Sequence, residues 1–145
     1  MNNKMRLFQG CLHLIVATIA IYGGLAAILD PAGQWSQIVD TTFMMEPFQD
    51  HLLPGLLLFS ILGIGNLLAA AIDALNWWFY PYISVGLGIV LMIWLGVERM
   101  LLSTFYVTEF WLLGLAISQI VLGYLSMKKL AILPKQLGVT KRIIE

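Results

Sequence analysis

Four apolar stretches, each close to twenty residues long, fill most of a chain of 145 residues. They run over Leu7–Leu29, Leu52–Ile72, Phe79–Val97 and Phe105–Leu125. The hydrocarbon core of a bilayer is about 30 Å thick and a helix rises about 1.5 Å per residue, so about 20 apolar residues suffice to span it. The expected fold class is therefore all-α membrane: a four-transmembrane-helix bundle forming one domain over residues 1–145. The helices are expected near 7–29, 52–72, 79–97 and 105–125, with a long outer loop at 30–51 and a tail at 127–145. Composition agrees. Hydrophobic residues make up 60% of the chain and charged residues 11%, against about half and about a quarter in soluble domains.

Several classes drop out. The formal net charge is zero, so no basic surface for nucleic acid is expected. Cys11 is the one cysteine, which leaves neither a disulfide nor a C-x-x-C redox pair. Lys4 and Arg6 precede the first apolar run, as they would in a signal peptide. That run is longer than the about 7–15 residues of a signal's apolar region and lacks a small-residue cleavage site, so it reads as a retained anchor.

Lys and Arg in short segments mark the cytoplasmic side. Lys4 and Arg6 lie before helix 1, and Lys128, Lys129, Lys135, Lys141 and Arg142 lie after helix 4. Only Arg99 falls elsewhere, and the 1–2 loop carries Asp30, Asp40, Glu46 and Asp50 without a base. Both termini are expected in the cytoplasm, and an even number of helices requires them on one side. Pro54 sits in the first turn of helix 2, where its missing N–H costs little. The run Asn76-Trp77-Trp78-Phe79-Tyr80-Pro81-Tyr82 reads as a tight interfacial turn, since Trp and Tyr favour the headgroup layer. Phe105, Tyr106 and Trp111 fill that role at the other end. Gln34 through Met45 reads either as a short surface helix or as an irregular loop.

Helices in lipid meet through small residues and buried polar groups. At helical spacing, Gly10, His13, Ala17, Ala20, Gly24 and Ala27 share one stripe of helix 1. Gly55, Gly63, Asn66, Ala70 and Asp73 share a face of helix 2, and Ser84, Gly88, Leu91, Leu95 and Glu98 one of helix 3. Helix 4 offers two faces, Gly114-Ser118-Val121-Leu125 and Ala116-Gln119-Gly123-Ser126. One packs inward. The other either packs within the monomer too or is a spare surface for a homo-oligomer or a membrane partner, in which case Gly123 or Gln119 is the expected place to break such a contact.

Two polar groupings are candidate sites. His13 lies six residues into helix 1, roughly 9 Å at about 1.5 Å per residue, and Asn66, Ser84 and Gln119 fall at similar depth. These four form an expected inner polar layer, either as structural hydrogen bonds or as a small cavity in which His13 accepts protons. A lone His at that level makes a poor metal site, so no metal and no cofactor is expected. The second grouping lies at the outer interface: Asp30, Asp50, His51, Glu98, Arg99 and Glu109. It reads as an ion-paired network or as a shallow site attracting cations.

Two motifs resemble a family of small bacterial four-helix membrane proteins with no established activity. One is Glu46-Pro47-Phe48-Gln49-Asp50-His51-Leu52-Leu53-Pro54-Gly55-Leu56, followed by Gly63-Ile64-Gly65-Asn66. The other is Ile93-Trp94-Leu95-Gly96-Val97-Glu98, and the Asp30-Pro31 step is similar too. The resemblance extends over roughly residues 8–126. Glu98 stands where the family pattern has Gln, and the 2–3 turn lacks an Arg-rich stretch. What the resemblance implies is the fold and a bacterial inner membrane.

The leading expectation is an accessory or structural subunit acting through helix–helix contacts. The alternative is a transporter or channel for a proton, a cation or a small solute, working as a homo-oligomer. A quinone-linked membrane enzyme is the second alternative. Beyond the lipid bilayer, no partner is named by the residues.

Overall fold

A computed structural model of the chain describes residues 3–33, 50–101 and 107–136, with side chains over 4–33, 50–100 and 107–129. The described chain is helical, and it holds four helices long and apolar enough to cross a membrane. Helix α1 is Asn3–Leu29 and α2 is Leu52–Ala74. Helix α3 is Tyr80–Leu101 and α4 is Val107–Gln136.

The boundaries follow local chemistry. Helix α1 stops one residue before Asp30-Pro31, since the residue preceding proline avoids helical backbone. The turn beyond uses Gly33 at φ 66°, a conformation that glycine adopts without strain. The His51 N–H then donates to the Pro31 carbonyl at 3.0 Å, drawing the start of α2 to the end of α1. Asp50 Oδ1 accepts the Leu52 N–H at 3.0 Å, satisfying one of the orphan donors of the first turn. Helix α2 ends with Asn76 at φ 58°, Asn76 N–H on the Asp73 carbonyl at 3.2 Å and Trp77 N–H on the Ile72 carbonyl at 3.4 Å. These two bonds are the 5→2 and 6→1 pair of a Schellman stop. Pro81 follows as the second residue of α3; around the turn Trp78 meets Phe79 and Tyr82 edge-to-face, and Trp77 lies tilted against Phe79.

Two departures from the sequence reading are physical. First, α4 runs 30 residues, about 45 Å at 1.5 Å per residue, well past the expected end at Leu125. An apolar run measures the hydrocarbon, not the helix, and nothing in Ser126-Met127-Lys128-Lys129 stops a helix. The expected tail is thus helical through Gln136. Second, α2 is α-helical over Leu52–Leu57 and Gly65–Ala74 but π-helical over Leu58–Ile64. Such segments are rare and concentrate at functional sites. The segment 34–45 and the aromatics Phe105 and Tyr106 lie outside the described residues.

The helices pair as α1 with α2 and α3 with α4, and the two pairs meet along α1–α4 and α2–α3. Small residues set the approach. A Cβ on Gly24 would lie 2.7 Å from the Phe59 backbone nitrogen, and one on Gly123 would lie 2.9 Å from the Pro81 carbonyl oxygen. Val16, Ala20, Leu62, Leu91, Leu95 and Ala116 form the apolar core. On the outside, Thr18, Ser60 and Ser118 donate to the carbonyls of Leu14, Leu56 and Gly114 at 2.6–2.8 Å. Each hydroxyl is thereby satisfied by its own helix, as an apolar surrounding requires.

Candidate functional site

The four residues of the inner layer meet. His13, Asn66, Ser84 and Gln119 each have zero exposure, one from each helix. His13 Nδ1 lies 2.7 Å from Asn66 Oδ1, and Gln119 Nε2 lies 2.7 Å from the same oxygen. Asn66 Nδ2 donates to the Leu62 carbonyl at 2.8 Å, which leaves its oxygen as the common acceptor. His13 Nδ1 therefore carries a hydrogen, and its 3.0 Å approach to Gln119 Nε2 is a contact between two donors aimed at one oxygen.

On the other ring edge, His13 Nε2 lies 3.1 Å from Ser84 Oγ, and Ser84 Oγ lies 3.3 Å from the Gln119 carbonyl. One hydroxyl hydrogen cannot serve both. With neutral His13, Ser84 donates to Nε2. With doubly protonated His13, Nε2–H donates to Ser84, whose hydrogen turns to the Gln119 carbonyl. Both protonation states of His13 thus have a complete set of bonds, exchanged by rotating one hydroxyl.

Asp73 adds what the sequence reading did not assign to the site. Its Oδ2 is 3.9 Å from His13 Nε2, and the residue is 2% exposed. Side-chain direction explains the approach: helical side chains lean toward their own N-terminus, and α1 and α2 run oppositely, so His13 and Asp73 lean toward each other. Neither Asp73 oxygen has a hydrogen-bond partner among the described residues, and Gln9 Nε2 and Gln119 Oε1 lack one too. A second polar tier surrounds Asp73. Gln9 Oε1 accepts from Ser126 Oγ at 3.4 Å, and the Tyr80 side chain hydrogen-bonds Ser126. Gln9 stands four residues before His13, Asp73 seven after Asn66, Tyr80 four before Ser84 and Ser126 seven after Gln119. The signal for this tier is an offset of about one turn on α1 and α3 and about two turns on α2 and α4, toward the end of the bundle that holds the termini.

A cavity of about 370 Å³ opens beside this tier, between α1 and α2, lined by Arg6, Gly10, Cys11, Ala70, Asp73 and Ala74 with Leu7 and Leu14. In the other direction, the apolar core fills the interior between the His13 layer and Glu98.

At the opposite end of the bundle, the expected charged cluster resolves into local ties. His51 Nδ1–H donates to the Pro31 carbonyl at 3.0 Å, and Asp50 Oδ1 holds the Leu52 N–H at the start of α2. At Asp30 it is the backbone carbonyl that closes the turn, accepting the Gly33 N–H at 3.0 Å. Arg99, in the last turn of α3, pairs with Glu109, in the first turn of α4, at 3.1 Å. Each charge also suits its helix terminus. Glu98 is half-buried beside them. Among the described residues no group of three or more His, Cys, Asp or Glu could hold a metal ion.

Helix α4 turns its Ala116-Gln119-Gly123-Ser126 face inward; all four are buried. Gly123 and Gln119 are therefore bundle residues and not the place to break an external contact, a correction to the sequence reading. The outward face is Gly114-Ser118-Val121-Leu125, where a Cβ on Gly114 would meet nothing within 4 Å.

Comparison with protein-family models, curated proteins and solved structures gives no match. The family resemblance rests on the motifs quoted above.

Proposed function

We propose that this chain is a small multi-pass membrane protein that takes up a proton or small cation at the buried His13–Asp73 site and passes it across the bilayer, as a homo-oligomer. One observation carries the reading: Asp73 is buried in the bundle, and neither of its carboxylate oxygens has a hydrogen-bond partner among the described residues. A network kept only to hold helices together has no use for such a group, which is costly to bury and which marks ion and proton pathways in membrane proteins. The Lys and Arg of the terminal segments favour the cytoplasm for that end of the bundle, and we take uptake to be from that side. The apolar core closes the route toward Glu98. Leu62 belongs both to that core and to the π-helical stretch of α2, so a rearrangement there opens it.

The test is flux into vesicles reconstituted with the purified protein. Wild type is expected to dissipate an imposed cation or proton gradient, and Asp73→Asn to lose this while Arg99→Gln keeps it. Equal flux in wild type and Asp73→Asn rejects the reading. The outward Gly114 face of α4 favours a second reading, an accessory subunit held by helix contacts. A wild-type protein without flux that co-purifies with another polypeptide selects it.

A further inference from the structure

Three observations converge on the cavity between α1 and α2. Arg6 and Asp73 both line it, and Arg6 lies within electrostatic reach of Asp73 without an ion pair joining them. Three buried polar atoms without a hydrogen-bond partner among the described residues, Asp73 Oδ1, Asp73 Oδ2 and Gln9 Nε2, belong to the tier beside it. Buried polar atoms left unpaired by protein are the ones that ordered water satisfies, given room and polar neighbours. Asp73 also stands between the cavity and His13, with its Oδ2 3.9 Å from Nε2.

We infer that this cavity is a water-filled vestibule open at the terminal end of the bundle, that Asp73 relays between it and His13, and that the cargo is the proton. The inference rests on the functional reading above and narrows it to one ion. A metal cation would need several oxygen ligands once dehydrated, whereas the groups facing Asp73 are a cation, Arg6, and a base, His13, from α1. Helix α3 contributes Tyr80, and α4 contributes the uncharged Ser126 and Gln119. A relay needs only a carboxyl that can face two ways, toward Arg6 when ionised and toward His13 when exchanging its proton. His13 is prepared for that exchange by the two bond patterns of Ser84.

Cys11 makes the vestibule testable in the natural chain, because it is the one cysteine and lines the cavity. A charged methanethiosulfonate reagent needs a thiolate in water. The sulfur attacks the reagent's sulfenyl sulfur, a mixed disulfide forms and methanesulfinate leaves. In protein-containing vesicles, the reagent applied at the terminal side is expected to label Cys11, read by mass. The rate should exceed by about tenfold or more that of a cysteine placed on the exposed face of α2 by Ser60→Cys in a Cys11→Ala background. Equal rates overturn the vestibule. Proton flux should persist when choline replaces all sodium and potassium, and should fall about tenfold or more in Asp73→Asn while labelling of Cys11 is retained. Flux that requires sodium or potassium overturns the proton as cargo but leaves the wider cation reading standing. Labelling without flux of any ion defeats that wider reading instead. If Asp73→Asn fails to assemble, modification of Cys11 in the wild-type protein carries the test instead. Wild-type protein labelled at Cys11 should lose proton flux, and undiminished flux after complete labelling overturns the vestibule as the route to Asp73.

Discussion

Asn66→Leu removes the hub of the polar layer while keeping the same branched heavy-atom skeleton. Asn66 Oδ1 accepts from both His13 and Gln119 at 2.7 Å, and its Nδ2 donates to the Leu62 carbonyl at 2.8 Å. Leucine deletes all three bonds and strands two donors at zero exposure. A side-chain hydrogen bond between membrane helices contributes about 0.6 kcal/mol on average and about 1.7 at most. Each stranded buried donor costs about 1–3 kcal/mol. The two scales overlap, so we expect a loss of about 2–4 kcal/mol, with gain of apolar area offsetting the lower part. Ser84→Ala removes one hydroxyl whose partners, His13 Nε2 and the Gln119 carbonyl, are acceptors. It should cost about 1 kcal/mol or less. Reversible unfolding in mixed micelles, followed by helical circular dichroism, measures both. An Asn66→Leu protein within about 0.5 kcal/mol of wild type, or no more perturbed than Ser84→Ala, would refute the claim that Asn66 organises the layer.

Three further outcomes are expected. Gly24→Ala sets a Cβ 2.7 Å from backbone on α2 and should cost about 1–3 kcal/mol in the same assay, as overpacking does. Gly96→Ala meets nothing within 4 Å and should be neutral or stabilising by up to about 1 kcal/mol; the reverse order would contradict the packing described. Arg99→Gln breaks a pair whose members are only 26% and 13% exposed, and should cost about 1 kcal/mol in low salt and less in high salt. Gly114→Leu should leave the fold intact and weaken any self-association seen by crosslinking in vesicles. Gly123→Leu should disrupt the fold itself, since its Cβ would press on the Pro81 carbonyl.

What could be read from the chain, and what could not, follows from the kind of signal each feature leaves. The spans are written in apolar length and the helix faces in the spacing of small residues. His13, Asn66, Ser84 and Gln119 fall at one depth because they are polar residues inside apolar runs, where any polar residue is conspicuous. Asp73 shares the Asn66 stripe, yet it lies one residue past the expected end of its span. There it looks like an ordinary interfacial charge; only the packing of α1 against α2 shows it buried. Gln9 and Ser126 were hidden the same way, at the edge of the apolar runs. The π-helical stretch leaves no periodic mark of its own over seven residues. The choice between the two faces of α4 was undecidable locally, because both carry small and polar residues. It is settled by Ser84 and Gly88 of α3, which need Gln119 and Ala116 opposite them.

The proposed relay requires His13 to exchange a proton between two hydrogen-bonded states. Solid-state ¹⁵N NMR of histidine-labelled protein in bilayers observes it directly, with His51→Asn removing the other histidine signal. Raising and lowering the pH should interconvert a neutral ring protonated at Nδ1 and a doubly protonated ring, and Asp73→Asn should alter that exchange. A His13 signal fixed in one state across the range in which the protein stays folded would contradict the claim and leave the layer a purely structural clasp.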